Sequence, residues 1–226
     1  MQALSDARHR RAEMVPLFLA TIEKYLAPTA SAPEDPTFFL YILYLLAEWR
    51  EKSAYRPLAH LLRSSAFFLF FDETFEPILH RAIAAVFDGD PEPLYEVALD
   101  PGVNQFTSAA VLEAIAMLVW SREIQTDSIS GFLAQAFGTF DPEDEYYLLD
   151  ACARLVGMLG LFNLKLLVRK AIAQDHLSEY SLEEFEEDLA YAKAHPGQPR
   201  NDYNNYAPVT DAISEISAWP CYAAIS

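Results

Sequence analysis

Glu76 and His80 stand four residues apart, the spacing that puts two metal ligands on one face of a helix. A binuclear bundle would need a second such pair, and the sequence offers none, so the two read as a surface ion pair. Asp88, Asp90 and Glu92 crowd a single turn, where three carboxylates could hold a divalent cation. Their spacing lacks the remainder of a calcium loop, and acidic residues at a helix start are what the helix dipole favours. No metal is expected at either place. The sequence holds no nucleophile elbow, phosphate-binding glycine loop, zincin helix or dinucleotide fingerprint. Neither catalytic residues nor a cofactor can therefore be assigned from motifs. The cysteines, Cys152 and Cys221, are too few for a disulfide framework. Cys152 falls on an apolar helix face and reads as a small core residue, and the pair fits a reducing cytoplasm.

Two aromatic features invite a ligand. Trp49 lies at a turn between helices, where it either faces a ligand or locks the angle between them; packing is the preferred reading. Phe67, Phe68, Phe70 and Phe71 form a connector that either offers a hydrophobic contact site or folds back over the core.

Charge narrows the partners. The formal net charge of −17 argues against nucleic acid, whose phosphates call for a dense Lys/Arg surface, and equally against anionic membrane surfaces. An acidic, solvated surface is expected. The apolar runs, Phe38 to Ala47 and Ala66 to Phe71, fall short of the roughly 20 residues that span a bilayer. The opening residues MQALSDARHRRAEM lack the apolar run of a signal peptide.

The elements that must position these residues are helices. Apolar and aromatic residues are plentiful, glycine is scarce at 7, and strand-like alternation is hard to find. The central stretch Pro36 to Arg63 reads as two short helices. Phe39, Ile42, Leu43 and Leu46 form the stripe of the first, and Phe38, Leu40 and Leu45 make it apolar almost all round. After the charged break at Glu48 to Ser53, Pro57 opens a second helix with Leu58, Leu61 and Leu62 inward. Pieces this short are marginal alone and must pack on further elements.

The rest of the chain repeats the pair. A first helix is predicted over Asp6 to Leu26, with Met14, Leu17, Phe18, Ile22, Tyr25 and Leu26 near one side, followed by a proline-rich loop to Pro36. Phe75, Ile78, Leu79, Ile83 and Val86 mark a helix starting near Glu73 or Thr74 and ending before Asp88-Gly89-Asp90. Pro91-Glu92-Pro93 then opens one carrying Leu94, Val97 and Ala98. Pro57-Leu58 and Pro93-Leu94 hold the same place after a charged break, at a separation typical of helix-pair repeats, which run roughly 34–47 residues. A third pair carries Ala109, Leu112, Ile115, Ala116 and Val119, then Ile129, Phe132, Leu133 and Ala136. A fourth carries Leu148, Leu149, Ala153, Val156 and Leu159, breaks at Gly160, and continues with Leu164, Leu167, Val168 and Ala171. Ser181 and Glu184 form a capping box for a helix to about Ala194, and Val209 to Trp219 is a last short helix. The fold class is all-α, an α-α superhelix: a HEAT-like solenoid of about four helix pairs with terminal capping helices. It is read as one domain over 1–226, with an N-terminal helix and loop at 1–35, repeats at 36–175 and a C-terminal cap at 176–226.

The LLAEWRE turn, the FDGDPEPLYE segment, the SAAVLEAIAML helix and the EEFEEDLAYA helix, in that order, resemble the bacterial domain-of-unknown-function family eleven eighty-six. The resemblance covers most of the chain and implies HEAT-type helical repeats with no established activity. HEAT-like repeats often carry an arginine before the small-residue pair of the first helix. Here Gln105-Phe106-Thr107-Ser108 precedes Ala109-Ala110, so that arginine's contact is not carried over. A Cys-rich zinc-binding tail, expected in some relatives, is not carried over either, because only Cys221 stands in that region.

The function expected is that of a cytoplasmic scaffold binding another protein or a peptide on the surface of its second helices, without nucleic acid or membrane. His60, Tyr95, Glu96, Gln135 and Arg169, with Lys165, are the solvent-side positions of those helices and the candidate binding residues. Tyr95 is the expected anchor. The alternative is an enzyme or small-molecule-binding protein with its site in the repeat cleft. A closed pocket holding a carboxylate pair or a His–carboxylate pair would favour the enzyme, and an open groove the binder.

Overall fold

The computed structural model describes residues 2–26, 36–64, 67, 75–200 and 206–219, leaving aside the side chains of Pro36 and Glu76. Among these residues there is no strand, and helices pack on helices throughout. The protein is all-α. The chain divides into two compact units, one formed by Met1–Asp88 with Ala207–Ser226, the other by Gly89–Tyr206.

In the first unit the helices are α1 (Gln2–His9), α2 (Arg11–Tyr25), α3 (Pro36–Trp49), α4 (Tyr55–Leu62), α5 (Glu76–Val86) and α12 (Ala212–Ser217). The stripes predicted for α3, α4 and α5 are buried without exception. α3 packs on α5, the first helices of consecutive pairs, as in a solenoid, while α4 packs on α2 and on α5. The rings of Phe39, Phe67 and Phe75 form a triangle with centroids 6.3 to 6.4 Å apart. Phe67 is buried, so the aromatic connector turns inward at that residue; Phe68, Phe70 and Phe71 lie outside the described residues. Trp49 stacks on Phe18 of α2 with centroids 5.9 Å apart, which is the packing role.

Three details differ from the sequence pattern. The single N-terminal helix is broken at Arg10 into α1 and α2, and the kink sets Arg8 beside Glu48 and Arg11 beside Glu51, at 2.6 and 2.7 Å. Leu17 and Phe38, counted with the apolar faces, are more than half exposed, because each neighbours a residue (Phe18, Phe39) that takes the inward position. The C-terminal helix α12 packs on α3, in the unit that holds the N-terminal helices, rather than on the last pair.

The second unit holds α6 (Glu92–Leu99), α7 (Gln105–Trp120), α8 (Thr126–Thr139), α9 (Tyr146–Met158), α10 (Lys165–Ala173) and α11 (Leu182–Ala194). α7, α9 and α11 stack in one row, and α6 packs beside α8. Local signals set the ends. Asn104 caps α7 by accepting from Phe106 N at 2.8 Å. Gly160, at φ +66°, ends α9 in the left-handed conformation that glycine adopts without strain. The capping box at Ser181 and Glu184 is formed in both directions, and α11 ends at Ala194 as predicted. No described helix is long and apolar enough to cross a membrane.

Candidate binding cleft

Pro91 and Pro93 begin α6 where missing N–H groups cost no hydrogen bond, and Leu94, Val97 and Ala98 turn one side of it into the core. The opposite side then carries Glu92, Tyr95, Glu96 and Leu99. On α8, the same helical geometry buries Ile129, Leu133 and Ala136 and leaves Ser128, Phe132 and Gln135 toward α6. Together these seven residues line a cleft of about 300 Å³.

Its wall is an aromatic pair. Tyr95 stacks on Phe132, centroids 4.3 Å apart and planes 16° from parallel. The Tyr95 hydroxyl lies 3.2 Å from Ser128 Oγ, which fixes the ring at its far end. Burial, followed by nearby Glu92, pushes the Tyr95 phenol above its ordinary range, partly offset by the Ser128 bond. Glu92, Glu96, Ser128 and Gln135 form an exposed polar rim. Among the lining residues the charges are two carboxylates, with no Lys, Arg or His.

The candidate residues thus divide. Tyr95, Glu96 and Gln135 share this cleft. Tyr95 is half-buried and held by two neighbours rather than projecting freely. Arg169 and Lys165 of α10 instead converge on Glu186 of α11, each at 2.6 Å, and hold that carboxylate below its ordinary range. His60 is exposed on α4 in the other unit. The pattern missed Glu92, Leu99 and Ser128 as lining residues and took Phe132 for core alone. The (i, i+4) pairs Glu92/Glu96 and Tyr95/Leu99 were the available signal.

The other chemistry-bearing residues are committed elsewhere. His80 is buried, 2% exposed, so the expected surface ion pair with Glu76 is corrected on the histidine's side. Arg56 pairs with Asp88 at 2.9 Å, and Asp90 Oδ1 accepts from Glu92 N at 3.1 Å, so these acids build the turn. No group of three or more metal-ligating side chains gathers among the described residues. Cys152 is fully buried, and burial pushes its thiol up to about 12.

Within each unit, buried polar groups that the sequence pattern did not reveal tie distant parts of the chain together. Arg81, 3% exposed, forks onto Glu215 at 2.7 and 2.9 Å and donates to Ala207 O at 2.7 Å. Asp150 accepts from Ser178 N, Ser178 Oγ, Glu179 N and Tyr180 N at 2.9 to 3.1 Å. Asp188 accepts from Tyr180 Oη and from Arg200. These carboxylates are enclosed and saturated by donors, an arrangement that positions loops rather than substrates.

The family model described as "Protein of unknown function (DUF1186)" matches residues 1–223. The chain belongs to this family. It is the family that the order of the helix-pair motifs resembles, and the match to DUF1186 extends over both compact units. Comparison with curated proteins and with solved structures finds no match.

Proposed function

We propose that this DUF1186 protein is a helical-repeat scaffold that seats a segment of another protein, or a peptide, in the cleft between α6 and α8. The observation that carries the proposal is the cleft itself: a half-buried Tyr95 stacked on the buried Phe132 and preset by Ser128, behind an exposed rim of Glu92, Glu96 and Gln135. Interfaces favour such aromatic anchors because a ring already fixed loses little freedom on binding. The cleft lies between second helices of consecutive pairs, the surface through which solenoids present their partners' sites. Both carboxylates in it are exposed and sit one turn apart on one helix, which suits recognition better than the enclosed acid–base pair an enzyme would need. A cytoplasmic setting is part of the proposal and is supported by the free, buried thiol of Cys152.

The test is a photo-crosslinking residue placed at Gln135 in the native host, with Lys193 on the exposed side of α11 as the control position. A discrete adduct from Gln135, absent from Lys193 and lost in a folded Tyr95→Ala background, is the expected result. Identical adduct patterns from the two positions would overturn the proposal.

A further inference from the structure

We propose that residues 207–219 are a ligand that the chain supplies to its own first unit, and that the same seat takes this segment in trans from a second copy. The site is separate from the cleft between α6 and α8 and stands independently of the reading given to that cleft. The segment is held from one side. Val209, Ala212 and Ile216 are buried, while Pro208, Thr210, Ser214, Ser217 and Ala218 are exposed, so it forms a surface layer rather than an enclosed element. Its helix, α12, has 6 residues, too few to keep its shape alone, so the seat imposes that shape. The seat belongs to the early part of the chain: α3 and α5 pack on each other, and α12 lies on α3.

Four side chains of the seat read the segment. Arg81 on α5, 3% exposed, forks onto the Glu215 carboxylate at 2.7 and 2.9 Å and donates through Nε to Ala207 O at 2.7 Å. Glu48 on α3 accepts from Ala212 N at 2.8 Å, one of the N–H groups that a helix start leaves without a partner inside the helix. Arg8 on α1 donates to Glu48 at 2.6 Å and to Asp211 at 3.3 Å, which steadies both carboxylates. Tyr44 on α3 meets the Trp219 ring edge to face, with centroids 5.8 Å apart. The seat therefore specifies a short helix with a free amide at its start, apolar residues at 212 and 216, a carboxylate at 215 and a ring one turn later. Arg81 makes it selective. A guanidinium so enclosed is costly without a carboxylate, and the fork fixes the direction from which that carboxylate arrives. Each copy of the chain carries a segment with these groups at these spacings, and exchanging an identical element between copies needs no new contact. A second copy is the partner that this seat fits.

The probe is a blocked, fluorescein-labelled peptide of residues 207–219, standing for the segment of a second copy, and its anisotropy is followed with the full chain. The chain's own segment acts at an effective concentration of roughly millimolar, so the parent should bind the peptide weakly. A full chain carrying Glu215→Ala with Trp219→Ala keeps the seat and loosens its own segment. It should bind the peptide saturably, at least roughly tenfold more tightly than the parent. A peptide with Glu215→Gln should bind that chain at least roughly tenfold more weakly than the unaltered peptide, through loss of the charge-assisted fork. A folded double variant that leaves the peptide unbound, or that binds both peptides equally, would overturn the proposal. If the double variant does not fold, the parent decides. Excess peptide must then speed hydrogen exchange in the chain's own residues 207–217 while the Glu215→Gln peptide does not, and unchanged exchange with both would overturn the proposal.

Discussion

The Tyr180 hydroxyl donates to Asp188 Oδ2 at 2.6 Å inside the second unit, where both residues are 2% exposed or less. The bond ties the loop before α11 to α11 itself. Arg200 donates to the other carboxylate oxygen at 3.1 Å, and Arg154 lies over the Tyr180 ring, 4.8 Å from its centroid. A charge is thus kept in a low-dielectric setting by a hydroxyl and two guanidinium groups.

Burial dominates at Asp188. It raises the carboxyl above the ordinary value of 3.8, against the opposing pull of Tyr180, Arg200 and Arg154. An acid whose folded pKa is raised contributes stability that is fully present below its unfolded pKa and is lost as pH climbs through the folded one. The stability advantage of the parent over Asp188→Asn should therefore shrink between about pH 3 and about pH 7. Paired thermal melts across that range measure it. A gap that widens with pH would mean that the Arg200 ion pair outweighs desolvation.

Gly157 leaves room for the same bond. A Cβ there would lie 2.5 Å from Tyr180 Oη, 3.0 Å from Asp188 Cβ and 3.3 Å from Phe185 Cδ2. Gly157→Ala should cost about 1–3 kcal/mol by overpacking a filled site, despite the better helix propensity of alanine. Tyr180→Phe removes the nearest atom, so the two substitutions together should cost less than their separate costs combined. Urea melts of the four-member cycle read the coupling. Strict additivity would place the clash elsewhere.

Arg81 and Glu215 are far apart in the chain yet form a forked pair, and the same guanidinium holds Ala207 O. The helix they secure, α12, has only 6 residues and is marginal alone. Glu48 Oε2 accepts from Ala212 N at 2.8 Å, a second tether to the same helix. Glu215→Ala would leave the buried guanidinium without its carboxylate, a loss of roughly 3 kcal/mol. Hydrogen exchange should then accelerate in residues 207–217 well before it does in α3. Uniform acceleration would show that α12 and α3 open as one.

Legibility followed the range of each signal. Capping at Ser181, the break at Gly160 and the stripes of α4, α5 and α8 depend on neighbours within about four residues, and all were readable. Nothing local singles out Arg81 on α5, because its partners lie beyond residue 206 and periodicity carries no information at that distance. The spacing of His80 from Glu76 suggests a surface ion pair, whereas burial of the histidine is decided by packing that the chain does not encode locally. At the cleft, the outward side of α6 was readable from the inward one. That Tyr95 would lie flat on Phe132 was not, since it depends on the register between two helices.

Cys152 gives a final test of how tightly the second unit is closed. Its side chain is wholly buried in α9, the helix that packs on those carrying Leu112 and Leu189. Burial alone pushes the thiol up to about 12, from an ordinary 9.0. Since the thiolate is the nucleophile, the folded protein is slow to react twice over, through access and through proton affinity. In a Cys221→Ser background, which leaves a single thiol, a disulfide reagent should label Cys152 only through transient opening. The labelling rate at pH 8 should therefore rise with urea in step with the opening equilibrium of α9. Leu112→Ala, which opens a cavity costing about 2–5 kcal/mol, should raise the rate by roughly 30-fold to a few thousandfold. Glu123→Ala, at an exposed turn, should leave it nearly unchanged. Rapid stoichiometric labelling of the parent without denaturant would show that the core around Cys152 is not closed.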